Sequence, residues 1–235
     1  MQADLTLPPP AAETLAKLQK SYQVELEPWN IREHRLHLLQ VSDLAPLLGD
    51  KDPFEDVESF PFWVKIWEAA LVLADFMAAQ TPDPEGRVLE LGAGLGLPGL
   101  AAAAAGHRVT LSDYEEHILD FQRVSAAASG VDPQVEHLLL DWLNPVELPQ
   151  FTTIIGAEIL FREEFFTPLL EIIDRFLAPG GTVYLAHDIR RQSVSPFLTR
   201  AEKEKGFTIA ISQRRMQSDD SEHTVILSRL QKKPR

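Results

Sequence analysis

Apolar and polar positions along the chain form two stretches of different character, meeting near residue 60. The first is short and broken. Residues 1–10 end in three consecutive prolines, Pro8 to Pro10, and predict a loosely attached arm. Ala11 to Ser21 has helical spacing. Gln23–Glu27 and Arg35–Leu39 alternate loosely around Pro28, Trp29 and Asn30, which predicts a small hairpin or a pair of edge strands. Asp43–Leu48 predicts a short helix, and the acidic, proline-containing Gly49–Glu58 a loop. Pro61 stands where a helix can start, and Phe62–Ala79 offers one apolar face through Trp63, Ile66, Trp67, Ala70, Leu71, Ala74 and Met77.

After a turn at Pro82–Gly86 the pattern becomes regular. Short apolar runs at Val88–Leu91, Val109–Ser112, Glu136–Leu140, Thr153–Ala157 and Thr182–His187 predict strands. Between and after them, Leu97–Ala105, Glu115–Ser129, Glu163–Phe176 and Pro196–Lys205 predict helices. Two last strands, Phe207–Gln213 and His223–Leu230, flank a polar turn at Ser218–Glu222 and are close enough in sequence to pair antiparallel. Repeated strand–helix units imply an α/β fold with a mostly parallel sheet covered on both faces. The organisation expected is an N-terminal extension over 1–60, packed on a single domain over 61–231.

The chemistry concentrates at the end of the first strand of that regular part. Val88-Leu-Glu-Leu-Gly-Ala-Gly-Leu-Gly-Leu-Pro-Gly-Leu100 runs from an apolar strand through glycines into a helix. Gly94, Gly96 and Gly99 match the dinucleotide pattern G-x-G-x-x-G literally, while Gly92 and Gly94 followed by Leu97 do not, so the match alone leaves the cofactor open. Glycines at 92, 94 and 96, with Ala93, let the backbone approach a ligand at the crevice outside the strand ends. Asp113 closes the next strand. Its carboxylate can accept hydrogen bonds from ribose hydroxyls, or it can cap the following helix. Tyr114 lies against an adenine edge or in the core. Asp141 and Trp142 end the third strand, where they meet the adenine or simply form a loop.

Bulk properties narrow the classes. The chain has 235 residues, 35 acidic against 22 basic, and a formal net charge of −13. It should be repelled by a phosphate backbone, so nucleic acid is disfavoured and a basic protein is easier to accommodate. There is no cysteine, which excludes disulfides, thiolate zinc sites and cysteine nucleophiles and fits a cytoplasmic setting. No apolar run is long enough to cross a membrane, and the N-terminus lacks a signal-peptide pattern. His34 and His37 fall on a predicted strand, where their spacing points them to opposite faces. The other histidines are scattered, so no metal is expected.

These segments together resemble the class I S-adenosylmethionine-dependent methyltransferases, and within them the seven-strand protein-lysine methyltransferase branch with its bacterial relatives. The resemblance spans roughly residues 60–230. It is carried by Pro61-Phe62-Trp63, Trp67-Glu68-Ala69-Ala70, the glycine run, Val109 to Tyr114, Leu140-Asp141-Trp142, Ile154 to Phe161, and Pro179-Gly180-Gly181 before the strand ending at His187. It implies a Rossmann-like seven-stranded sheet of order 3-2-1-4-5-7-6 with strand 7 antiparallel. It implies S-adenosylmethionine as cofactor, with Glu90, Gly92 and Gly94 around the methionine part, Asp113 at the ribose and Asp141 and Trp142 at the adenine. Ala157 and Glu158 would lie beside the transferred methyl, and Trp67 would cover the cofactor.

The branch often has Asp and Tyr where this chain has Glu158 and Phe161. An acid and a ring are kept, but the phenol is lost. Glu158 would orient an incoming ammonium and take or relay its proton. Phe161 and Trp63 would wall a substrate channel, or Trp63 and Trp67 would pack together on one helix face. His187 would act as a base near neutral pH or sit in the core bonded to Asp188, and Arg190 and Arg191 would meet an acidic group or remain on the surface. The activity expected is methylation of a protein lysine by a monomer or weak homodimer. Methylation of a small molecule is the nearest alternative, and a nicotinamide oxidoreductase or a cofactor-binding protein without turnover are more distant ones.

Overall fold

The computed structural model describes residues 6–48, 61–218 and 221–232. The loop expected at Gly49–Glu58 lies outside the described residues. The first helix, α1 (Pro9–Leu18), begins inside the expected arm, because a proline in the first turn lacks an N–H that a helix start would leave unpaired anyway. The expected hairpin forms as β1 (Val24–Ile31) and β2 (His34–Val41), antiparallel and in register from Val24↔Val41 to Ile31↔His34. The short helix α2 covers Ala45–Leu48.

Phe62–Ala79 does not form one helix. Phe62–Val64 makes a single 3-10 turn, Lys65 is extended (φ −111°, ψ 139°), and α3 starts only at Glu68 and runs to Ala78. The cause is tertiary. The Trp63 ring packs into an aromatic cluster, with centroids 5.0 Å from both His117 and Phe121 and 6.1 Å from Tyr22. Trp67 stays at the helix start, its indole N–H donating to the Phe62 carbonyl at 3.0 Å. The two tryptophans therefore do not share a helix face.

From there strands and helices alternate: β3 (Val88–Glu90), α4 (Leu97–Ala104), β4 (Val109–Asp113), α5 (Glu116–Ala128), β5 (Val135–Leu139), β6 (Phe151–Ala157), α6 (Phe166–Phe176), β7 (Leu177–Asp188) and α7 (Val194–Lys205). The chain ends in β8 (Phe207–Ser218) and β9 (Ser221–Lys232), each longer than its apolar core predicts because polar positions continue the pairing to Ser218↔Ser221. The seven-stranded sheet runs β5-β4-β3-β6-β7-β9-β8. Counting from β3, this is the order 3-2-1-4-5-7-6, and β9 is antiparallel to both β7 and β8. It is a Rossmann-like methyltransferase fold.

Apolar residues cover both faces of the sheet. On one face α3, α4 and α5 pack with Leu36, Leu38 and Leu39 of β2; on the other, α6 and α7 bury Phe166, Phe176 and Phe197. Helix α5 ties the hairpin down. The β2 amides of His37 and Leu39 donate to Ser129 Oγ and Ser125 Oγ at 2.9 Å each, and Lys17 of α1 pairs with Asp120 at 2.7 Å. Among the described residues no helix is long and apolar enough to cross a membrane.

Candidate active site

The parallel strands β3, β4, β6 and β7 end on one edge, and the glycine run turns there. Gly92, Gly94 and Gly96 have φ of +58°, +53° and +78°, so every second residue of the turn is left-handed, which side chains other than glycine's resist. Gly99 is needed for a different reason. A Cβ there would lie 2.3 Å from Leu111 Cδ2 and 2.6 Å from Glu90 Oε2, so it sets how closely α4 approaches the sheet. Glu90 is fully buried beneath the turn, where its Oε2 accepts the Gly99 amide at 2.8 Å. Burial pushes its carboxyl up to about 8. It thus sits against the first turn of α4, behind the glycines.

Gly94 is gripped from both sides. Its N–H donates to Asp113 Oδ2 at 2.8 Å, and its carbonyl accepts the Gln122 side-chain amide at 2.8 Å. The other Asp113 oxygen accepts the Tyr114 amide at 2.8 Å, while Glu115 takes the N-cap position of α5. Asp113 therefore does not cap that helix. Burial raises its carboxyl to about 6. Gln122 is fully buried, and its Oε1 lies 3.3 Å from His137 Nδ1. Burial lowers His137 to about 4, so near neutral pH the ring is uncharged and its Nδ1–H can donate to Gln122. Nothing in the local sequence pattern marks Gln122 or His137, because the contacts join residues 15 and 28 positions apart.

Trp142 leans over the start of the turn. A Cβ on Gly92 would lie 3.1 Å from both the Trp142 ring and Ile159. Phe165 meets the Trp142 ring edge-on at 5.6 Å. Asp141 is exposed and engaged within its own loop, with Oδ1 accepting the Leu143 amide at 2.8 Å and Oδ2 the Asn144 side chain at 2.9 Å. Tyr114 is 67% exposed, so it is no core aromatic. Ala93 and Ala157 are half-buried at the same sheet edge.

Beside the turn, Glu158 follows β6 in a left-handed conformation, φ +56°. Its Oε1 accepts the Asp188 amide at 2.5 Å, and its Oε2 accepts Arg191 Nη2 at 2.6 Å and Nε at 3.0 Å. Asp188 in turn binds Arg190 through two side-chain contacts of 2.8 Å, and these hydrogen bonds hold its carboxyl below the usual range. Glu158, Asp188, Arg190, Arg191, Trp67 and Glu68 line a cleft of roughly 340 Å³. Phe161 is 46% exposed next to Phe165, whereas the Trp63 ring is spent in the aromatic cluster described above. His187 is fully buried with neither ring nitrogen bonded, and burial drives it down to about 3. It is not hydrogen-bonded to Asp188. Among the described residues no group of three or more acidic or histidine side chains is placed to hold a metal ion.

Residues 55–204 match the lysine methyltransferase family. The chain belongs to that family. The zebrafish (Danio rerio) protein N-lysine methyltransferase METTL21A is 31% identical over 202 residues, 83% of this chain and 85% of that protein. The mouse (Mus musculus) histone-arginine methyltransferase METTL23 is 36% identical over 115 residues, 46% of this chain and 45% of that protein. An S-adenosylmethionine-dependent methyltransferase of Agrobacterium tumefaciens shares the fold, with a TM-score of 0.62 at 16% identity, covering 89% of this chain and 71% of that one. The protein is therefore an S-adenosylmethionine-dependent methyltransferase. The site suits that cofactor, since no side chain rises from Gly92, Gly94 or Gly96 along the turn and a buried carboxylate, Asp113, adjoins it.

Proposed function

We propose that this enzyme methylates the side-chain nitrogen of a lysine in a basic protein. The observation that carries the reading is the cleft lined by Trp67, Glu68, Glu158 and Asp188 at the strand ends, which pairs an aromatic wall with carboxylates. A cationic side chain is attracted by both. The net charge of −13 favours approach of a basic protein, and METTL21A is named for protein-lysine methylation.

In this reading Gly92, Ala93, Gly94 and Gly96 carry the amino-acid end of S-adenosylmethionine, Asp113 accepts its ribose hydroxyls, and Trp142 with Tyr114 flanks the adenine. Glu90 acts from behind, holding α4 against the turn. The bound cofactor supplies a methyl carbon on a sulfonium sulfur, which takes back the bonding pair when an amine lone pair forms the new C–N bond. The protein's task is alignment and exclusion of water. Ala157 leaves room at the strand end, and Glu158, fixed by Arg191 and the Asp188 amide, shapes the wall beside the acceptor. Phe161 forms an outer apolar wall.

Incubation with methyl-labelled S-adenosylmethionine and a cell lysate tests this. Label is expected in the protein fraction; label confined to small molecules would contradict it. Because METTL23 is named for arginine methylation, arginine is the second reading, separated by hydrolysing the labelled protein.

A further inference from the structure

Resting on the reading of an amine acceptor, we infer that Glu68, and not Glu158, receives the acceptor's ammonium. The cleft holds three carboxylates, and the structure distinguishes them. Glu158 accepts three donors on its two oxygens, at 2.5, 2.6 and 3.0 Å. Asp188 is chelated by Arg190, and its Oδ1 also takes the Arg190 amide at 2.8 Å. Glu68 accepts no hydrogen bond among the described residues. The contact recorded for it is His223 Nε2, 3.9 Å away, beyond hydrogen-bonding reach. Its side chain is 24% exposed, so a charge pair formed there is partly shielded from water.

Geometry adds a second argument. Trp67 precedes Glu68 and lines the same cleft, both standing at the start of α3 just after the extended Lys65. An aliphatic amine that takes the place of Lys65 Nζ, which lies 4.7 Å from the Trp67 ring centroid, can lie along the indole with its charged end on Glu68. Arg190 and Arg191 line the same cleft, paired with Asp188 and Glu158, and Arg190 also feels the charge of Glu68 without bonding to it. A cation entering the cleft therefore finds one carboxylate without a donor. Glu68 also opens α3, where any acid favours the helix dipole, so the test must separate the two roles.

Saturation-transfer NMR on the full chain, loaded with S-adenosylhomocysteine and probed with Nα-acetyl-lysine methylamide, reads the subsite. The wild type is expected to bind the probe. Glu68→Gln is expected to bind it about five- to tenfold more weakly, with unchanged affinity for S-adenosylhomocysteine by calorimetry. Glu68→Asp keeps the helix-start charge and is expected to melt like the wild type while still binding the probe more weakly, because the shorter side chain retreats from the cleft. Equal probe binding by wild type and Glu68→Gln, or none by either, overturns the Glu68 assignment while the methyltransferase reading stands. Failure of the wild type to bind S-adenosylhomocysteine would instead strike the cofactor reading, and this inference with it.

Discussion

Arg191 holds Glu158 in a two-point grip, Nη2 at 2.6 Å and Nε at 3.0 Å from the same carboxylate oxygen. Glu158 carries an unfavourable left-handed backbone, so the grip restrains the residue beside the glycine turn. Arg191→Met removes both donors and leaves a part-buried carboxylate on one amide. A loss of about 1–2 kcal/mol is expected, since the arginine is partly exposed. Calorimetric melting should fall by roughly 3–6 °C. Arg191→Lys should recover less than half of that, because an ammonium cannot reproduce the fork.

The two kinds of glycine separate binding from folding. Gly94→Ala meets only ordinary contacts, the nearest being Trp63 O at 3.5 Å, but forces a methyl-bearing residue to φ +53°. A stability loss of about 1–2 kcal/mol from the backbone alone is expected, with cofactor affinity reduced about tenfold or more as the turn rearranges. Gly99→Ala drives a Cβ into Leu111 and Glu90 and should destabilise the apo protein by about 1–3 kcal/mol. Parallel melting and S-adenosylhomocysteine titration of both variants checks the contrast.

Glu90 predicts a pH dependence of stability. Its folded carboxyl is raised from 4.5 to about 8 by burial. Its stabilising contribution is complete below about pH 4.5 and is lost as pH rises through about 8, because the unfolded chain ionises first. Melting temperature should therefore fall between those limits, and Glu90→Gln should flatten the fall.

Asp113 makes the corresponding prediction for binding. In the proposed reading ribose hydroxyls would donate to the ionised carboxylate, and the free protein holds that group at about 6. Affinity for S-adenosylhomocysteine should weaken about tenfold per unit below pH 6 and level off above it. Asp113→Asn should bind weakly with no such slope.

Gln122→Leu removes the donor to the Gly94 carbonyl while keeping the buried volume. One hydrogen bond of about 1 kcal/mol predicts roughly fivefold weaker binding of S-adenosylhomocysteine. An unchanged dissociation constant would show that Gln122 does not set the turn.

What the sequence discloses and what it conceals follow from range. The glycine turn and Asp113 are legible because a strand running into alternate glycines, then a second strand ending in an acid, is a local pattern. The sheet order comes through resemblance, which local periodicity cannot supply. The helix break at Lys65 is illegible because Tyr22, in the link after α1, and His117 and Phe121 of α5 supply the cluster that draws Trp63 away. Gln122 and His137 are missed, and the pairing of Arg191 with Glu158 is unforeseen, for the same reason, as their partners lie far off in sequence. His187 reads as a base at a strand end, but residue alternation buries it.

The most direct test of the central claim is the identity of the methylated residue. Protein labelled from methyl-labelled S-adenosylmethionine is hydrolysed to amino acids and separated. Nε-methylated lysine carrying the label is the result expected from this site. Label in methylated arginine, or in no amino acid at all, would contradict it.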